Sequence, residues 1–237
     1  MTHIHIMSTK KVDSHVSYYS FYPVPNHLYP SNESIFGTLT SSNLPNYSSR
    51  EQQTNNIHIR QAIAMSMNKI PAELKTDYES LLNDKSYLTQ EIALGNLCAN
   101  FYEDRLSYLN KIDTVIGFRD KNIRQTWLFM ALITKDYKQE KKELYSNELK
   151  QYSSSNYGYA VREKAFEFIG YLSLWDLETI KNLVNASQHH YWRFRASSRE
   201  ILNKLLKIDT YKKQIILLSD TMDDKNQSFL SKLMKEN

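Results

Sequence analysis

The most regular feature of this sequence is a stripe of apolar residues that recurs every three or four positions along its second half. Two segments share one template, with apolar or small residues at positions i, i+4, i+7, i+8 and i+11. The first contains Val161, Ala165, Phe168, Ile169 and Leu172, and the second contains Phe194, Ser198, Ile201, Leu202 and Leu205. This spacing places each set on one face of an α-helix. Both segments are therefore predicted to form amphipathic helices.

A recurring dipeptide, an apolar residue followed by arginine, opens these helices. It occurs at Ile59-Arg60, Ile123-Arg124, Val161-Arg162 and Phe194-Arg195, with a looser copy at Thr89-Gln90. The second positions of successive copies are 30 to 38 residues apart, which is the period of helical-hairpin repeats. Partner helices are predicted between the copies: after Pro71, from Tyr137 to Gln151 with Leu144 and Leu149 on the inner stripe, and after a capping Asp176.

This period predicts an all-α fold, a HEAT-like helical-hairpin solenoid of about five repeats over residues 57–237. Residues 1–56 have a different character, because they are rich in Ser, Asn, Tyr and Pro and show no helical period. The stretch from Val16 to Phe21 has strand character, but Pro23 stops it. We therefore predict an irregular or loosely structured segment before the repeats.

Composition adds few constraints. The net charge of +4 and the hydrophobic content of 41% are ordinary for a globular protein and do not by themselves indicate nucleic acid or an anionic membrane. The single cysteine, Cys98, excludes an internal disulfide and lies in an apolar helical pattern, which favours a buried position. Because the sequence shows neither a membrane-spanning apolar run nor a secretory signal, it predicts a cytoplasmic chain with no membrane partner, unless an upstream portion is missing.

Several phrases between residues 57 and 210 resemble a known family. They are IRQAIAMS (59–66), KIPAE (69–73), YESLL (78–82), DKSY (84–87), DKNIR (120–124) and HHYWRFR (189–195). Together they resemble the C-terminal helical region of bacterial gluzincin zinc aminopeptidases, the alanyl-aminopeptidase-like enzymes. The resemblance does not extend into residues 1–56.

That resemblance implies a family that removes residues from peptide N-termini. Its catalytic domain holds zinc with His-Glu-x-x-His and a downstream Glu, and it binds the substrate amine with a Gly-x-Met-Glu-Asn loop. Neither motif occurs in this sequence, so no catalytic residue, cofactor-binding residue or metal ligand is assigned to it. The resemblance therefore implies a non-catalytic module or fragment that packs on a zinc-peptidase catalytic domain, in cis or in trans, and shapes peptide access.

The most distinctive polar and aromatic cluster in the sequence is formed by His189, His190, Trp192 and Arg193. These residues could contact a peptide or a protein partner at a groove. They could equally pack and cap within a short turn between two helices, as His and Trp commonly do. A terminal pair, His3 and His5, is too sparse to form a closed metal site.

The recurring arginines also have two interpretations. At a repeating interface, an arginine usually bonds a neighbouring carbonyl or carboxylate, but facing a groove it could bind peptide carboxylates or phosphates. The residues concerned are Arg60, Arg124, Arg162 and Arg195.

Two further functions remain open at this level. One is a free-standing HEAT scaffold that binds a protein partner on its concave face. The other is a HEAT-like nucleic-acid-binding protein, which requires clustered basic residues and aromatic rings beside a carboxylate. Trp127, Trp175 and Trp192 could supply such rings, although Trp127 lies on a core stripe.

Overall fold

The computed structural model of this chain describes residues 56–117 and 121–236. Within these ranges it contains eleven α-helices, four short 3-10 segments and no β-strand, so the all-α prediction is confirmed. Except for Asn56, the predicted irregular segment 1–56 lies outside the described residues. The strand-like stretch from Val16 to Phe21 and the pair His3 and His5 fall in that part.

The helices are numbered in chain order. They are α1 (Ile57–Ser66), α2 (Lys75–Glu79), α3 (Tyr87–Asn100), α4 (Arg105–Lys111), α5 (Asn122–Ile133), α6 (Lys142–Gln151), α7 (Tyr159–Leu172), α8 (Leu177–Ala186), α9 (Trp192–Leu206), α10 (Asp209–Ser219) and α11 (Asp224–Glu236). By its internal contacts the chain divides into two compact units, Met1–Lys69 and Ile70–Asn237. Helix α1 belongs to the first unit, and α2 to α11 belong to the second.

Side-chain caps begin several of the helices, including α1, α3 and α8. Asn56 precedes α1, and its Oδ1 accepts a hydrogen bond of 3.0 Å from a backbone N–H of the first turn. Ser86 precedes α3, and its Oγ accepts from the N–H of Thr89 at 3.3 Å. Asp176, predicted as a cap, forms a reciprocal capping box with Thr179 at the start of α8. These caps satisfy N–H groups that have no partner within the helix.

The second unit is built around a row of helices, because α3, α5, α7 and α9 contact one another in chain order. Phe129 of α5 stacks on Phe168 of α7 with 4.5 Å between ring centroids. Thr126 of α5 donates to the buried Glu91 of α3 at 3.1 Å, and Lys164 of α7 forms an ion pair with the same carboxylate. Gln125 donates to the carbonyl of Val161 near the start of both helices, and Phe129 meets Phe168 further along, so α5 and α7 run parallel.

The intervening helices pack against the row. Tyr145 of α6 lies edge-on to Trp127 of α5, with 5.1 Å between ring centroids. Arg162 of α7 donates from Nη2 to the carbonyl of Asn182 in α8 at 3.2 Å. Helix α10 contacts α8 and α9, and α11 contacts α8 and α10. This stacking of successive helix pairs is consistent with a helical-hairpin solenoid, whereas the number of five repeats stays a prediction.

The structure differs from the predicted pattern in several places. The partner helix predicted from Tyr137 to Gln151 begins only at Lys142, as α6, after a 3-10 turn at Gln139–Lys141. The segment after Pro71 is not one helix, because 3-10 turns at Ala72–Leu74 and Ser80–Asn83 flank the five-residue α2. Leu144, predicted on the inner stripe of α6, is 63% exposed, and the adjacent Tyr145 is buried in its place. The tyrosine ring fits beside the indole of α5, where it gains edge-to-face contact.

No helix in the described ranges combines the length and the apolar content that crossing a bilayer requires.

Candidate functional site

The residues selected from the sequence surround the turn between α8 and α9. His190 in this turn is exposed, and Trp192 and Arg193 are the first two residues of α9 and are also exposed, Trp192 by 60%. His189 is partly buried. The guanidinium of Arg193 lies 5.3 Å from the Trp192 ring centroid, within the range of a cation–π interaction.

A tyrosine from the neighbouring helix lies beside the same turn. The ring of Tyr159 in α7 is 4.6 Å from that of Tyr191 and 6.4 Å from that of His189, and Tyr159 is 45% exposed. Tyr159 was not among the residues predicted from the sequence, although a signal was present: Tyr159 and Trp192 hold the first position of equivalent helices. Aligning the two repeat copies would have placed them side by side. We name the following surface the aromatic–basic corner: Tyr159, His190, Trp192 and Arg193.

Hydrogen bonds from α9 hold the turn beneath this surface in place. Arg195 donates from Nη1 to the carbonyl of His189 at 2.9 Å and to that of His190 at 3.3 Å. Arg199 donates from Nε to the carbonyl of Ser187 at 2.8 Å. Charge-assisted bonds of this kind are stronger than neutral ones, so three successive parts of the turn are fixed to one helix.

The charged groups around the turn are cationic. Residues 186–199 include no Asp or Glu. The pKa of His189 lies below its ordinary value, first because the ring is desolvated and then because His190, Arg162 and Arg195 place positive charge near it. The corner is therefore suited to an acidic group.

The recurring arginines serve the scaffold. Arg124 donates from Nη1 to the carbonyl of Asp113 at 3.1 Å, and Arg162 donates from Nε to the carbonyl of Ser153 at 3.1 Å. Both carbonyls belong to the connection that leads into the arginine's own helix, and Arg195 bonds its own preceding turn in the same way. Of the two interpretations that the sequence left open, these three arginines fit the first.

Two of the three tryptophans are enclosed in the core. Trp127 and Trp175 are buried. The indole N–H of Trp127 donates to the carbonyl of Leu109 at 2.9 Å. Only Trp192 remains as an aromatic surface for a ligand among the three, so the structure removes most of the rings on which the nucleic-acid hypothesis depended.

A polar groove of about 470 Å³ lies away from the corner, between α6 and α8. An ion pair of 2.9 Å between Lys150 and Asp176 forms part of its wall. Because Asp176 also caps α8, this pair has a structural role already. Among the described residues, no group of three His, Cys, Asp or Glu side chains is placed to hold a metal ion. The aromatic–basic corner is therefore the stronger candidate site.

The fold and this surface define the class of the protein as an all-helical stack of helix pairs with an exposed aromatic and basic patch at one inter-helix turn. In comparisons with known proteins, the chain matches no family model, no curated protein and no solved structure.

Proposed function

We propose that this chain is a non-catalytic, HEAT-like scaffold that binds an acidic segment of a protein partner through the aromatic–basic corner. The observation that carries the proposal is Trp192, a large aromatic side chain that is 60% exposed and paired with Arg193. Tryptophan, tyrosine and arginine contribute most of the binding energy in protein interfaces. The hydrogen-bonded turn beneath them lowers the entropic cost of binding, because little has to be ordered.

The distribution of cations favours a protein partner over nucleic acid. Arg195 and Arg199 already donate to backbone carbonyls of the turn, whereas the exposed guanidinium of Arg193 contacts the ring of Trp192. Binding to a nucleic-acid backbone depends on several cations that neutralise successive phosphates. One arginine beside aromatic rings fits a single carboxylate next to an apolar side chain instead.

A zinc-peptidase catalytic domain is the specific partner that the sequence resemblance favours. The phrase HHYWRFR (189–195), which carries part of that resemblance, supplies three of the four corner residues. In this form of the proposal, the corner contacts the catalytic domain in cis or in trans, and zinc and the reacting groups belong to that domain. Zinc-dependent cleavage of an aminoacyl substrate by this chain alone would overturn it.

The test is site-specific photo-crosslinking followed by binding to the purified partner. A photoreactive amino acid at position 196 of the full chain, an exposed site one helical turn after Trp192, is expected to capture one predominant protein in the source organism. That protein is then purified and its affinity measured. Trp192→Ala should weaken binding by about 2 kcal/mol, or roughly 30-fold, and Arg193→Glu should weaken it further, since it reverses a charge.

Leu144 provides the matched control. It is 63% exposed on α6, as accessible as Trp192 but remote from the corner in sequence and outside the cluster of ring contacts. The proposal fails if position 144 captures the same protein with the same yield, or if Trp192→Ala leaves the affinity unchanged. A captured nucleic acid, bound with a steep salt dependence, would support the alternative function.

A further inference from the structure

One of the hydrogen bonds that hold the turn beneath the corner is accepted by a ring nitrogen that can be protonated. The backbone N–H of Tyr191 donates to Nδ1 of His189 at 3.1 Å. An imidazole nitrogen accepts a hydrogen bond only when it carries no proton, so His189 in this geometry is neutral and bears its proton on Nε2. Tyr191 is also the N-cap residue of α9. The bond therefore links the protonation of His189 to the start of the helix that presents Trp192 and Arg193.

The surroundings of His189 oppose a second proton on its ring. The ring lies 4.1 Å from that of His190, measured between centroids, and 5.2 Å from that of Phe194. The permanently charged groups that act on His189 come from α7 and from α9, and both are guanidinium groups: Arg162 and Arg195. The imidazole of His190 in the same turn also lowers the pKa of His189. Tyr159 of α7 adds an uncharged ring on that side. No carboxylate occurs in residues 186–199 to stabilise an imidazolium.

We propose that the turn from Ser187 to Tyr191 is a proton-responsive element: protonation of His189 at Nδ1 breaks the hydrogen bond from Tyr191 and opens the turn, which displaces Trp192 and Arg193. The ring nitrogen changes from acceptor to donor and then faces another N–H group. The new positive charge is also repelled by the guanidinium groups of Arg162 and Arg195. The opening is a property of this turn alone; only its consequence, weaker partner binding in acid, rests on the proposed function.

The direction of the pH dependence follows from linkage. The pKa of His189 in the folded chain lies below the ordinary histidine value of 6.5. The open or unfolded turn therefore binds a proton more readily than the closed one. The closed turn is favoured above pH 6.5 and loses stability as the pH falls below 6.5. This loss of stability is complete once the pH is below the lowered pKa of His189.

The experiment is a fluorine NMR titration of the full chain labelled with 5-fluorotryptophan, in which Trp192→Phe assigns the Trp192 resonance. In the wild-type chain, this resonance should change with a midpoint below 6.5, while that of the buried Trp127 stays constant. His189→Asn keeps an acceptor that can bond the N–H two residues ahead but cannot titrate. The Trp192 resonance of this variant should be flat across the same pH range.

His190→Asn is the matched control at the neighbouring position. It leaves the acceptor of His189 intact and removes the neighbouring imidazole, which lowers the pKa of His189, so the transition should persist with its midpoint moved upward. The inference is wrong if His189→Asn keeps the full transition or if His190→Asn abolishes it. Should His189→Asn fail to fold, the imidazole ¹⁵N spectrum of the wild type decides: an unprotonated Nδ1 above the midpoint is expected, and a protonated one contradicts the proposal.

Photo-crosslinking at position 196 on both sides of the transition separates this inference from the proposed function. If the Trp192 resonance titrates but no partner is captured at either pH, the inference holds and the proposed function is wrong. Equal capture at both pH values, together with a flat Trp192 resonance, supports the proposed function and contradicts this inference. Loss of the captured partner in acid, restored by His189→Asn, supports both.

Discussion

Arg124 of α5 and Glu148 of α6 form a bidentate ion pair, with 2.7 Å between Nε and Oε1 and 2.6 Å between Nη2 and Oε2. The pair is largely shielded from solvent, with 14% and 28% of the two side chains exposed. The guanidinium also lies 4.5 Å from the centroid of the Trp127 ring. With the bond to the Asp113 carbonyl, one side chain thus joins a loop, its own helix and the partner helix.

Arg124→Lys is expected to lower the free energy of unfolding by about 2 kcal/mol, because an ammonium cannot form both parallel bonds and stacks less well on the indole. Urea denaturation measures the change. The matched control is Lys204→Ala, which breaks a pair with Glu200 whose side chains are 70% and 69% exposed. Exposed pairs contribute little, so this control should hardly change stability. Equal losses in the two variants would contradict the role assigned to Arg124.

Lys142, the first residue of α6, caps the C-terminus of α5. Its Nζ donates to the carbonyls of Ala131, Leu132 and Thr134 at 2.7, 2.7 and 2.8 Å. These groups lack partners within the helix at its C-terminus. Lys142→Met should therefore destabilise the fold by roughly 2 kcal/mol, measured by thermal unfolding, and increase hydrogen exchange at the end of α5. The adjacent Lys141 is exposed, and Lys141→Met should produce neither effect.

The raised pKa of Glu167 predicts that the stability of the fold depends on pH. Burial raises the pKa of this carboxyl from 4.5 to about 7, and the nearby Glu163 adds to the shift. The folded chain thus binds a proton more tightly than the unfolded one, so this group favours folding below pH 4.5 and its contribution declines as the pH rises toward 7. Glu167→Gln should remove that decline and raise the unfolding midpoint at neutral pH. A variant that is less stable than wild type at neutral pH would contradict this account.

Cys98 offers a direct probe of global unfolding. It is the one cysteine of the sequence and is fully buried in α3, and burial raises the pKa of its thiol to about 12. A buried neutral thiol reacts slowly, since the thiolate is the nucleophile. We expect iodoacetamide to modify Cys98 only as urea unfolds the chain, as followed by mass spectrometry. Cys98→Ser with Ser155→Cys, which places the thiol on an exposed loop position, should react without urea.

The aromatic–basic corner could be predicted only in part from the sequence. His189, His190, Trp192 and Arg193 were selected because histidines, an aromatic ring and a cation fall within five positions. Tyr159 was not predicted, because it is distant in the chain and its position beside α9 shows in the sequence only when the two repeat copies are aligned. The hydrogen bond from Tyr191 to His189 likewise depends on how the chain turns between two helices, which residue types alone do not specify.

The amino-acid sequence determined the helices, their buried stripes and the cap at Asp176, because the period of 3.6 residues and the capping bonds act within one or two turns of chain. The tertiary structure decided which helices are neighbours at the Glu91–Lys164 ion pair, and that Tyr145 rather than Leu144 faces the core. It also directed the recurring arginines toward the scaffold. These outcomes depend on shape and charge across helices far apart in sequence, where each side chain meets only the partners that packing brings to it.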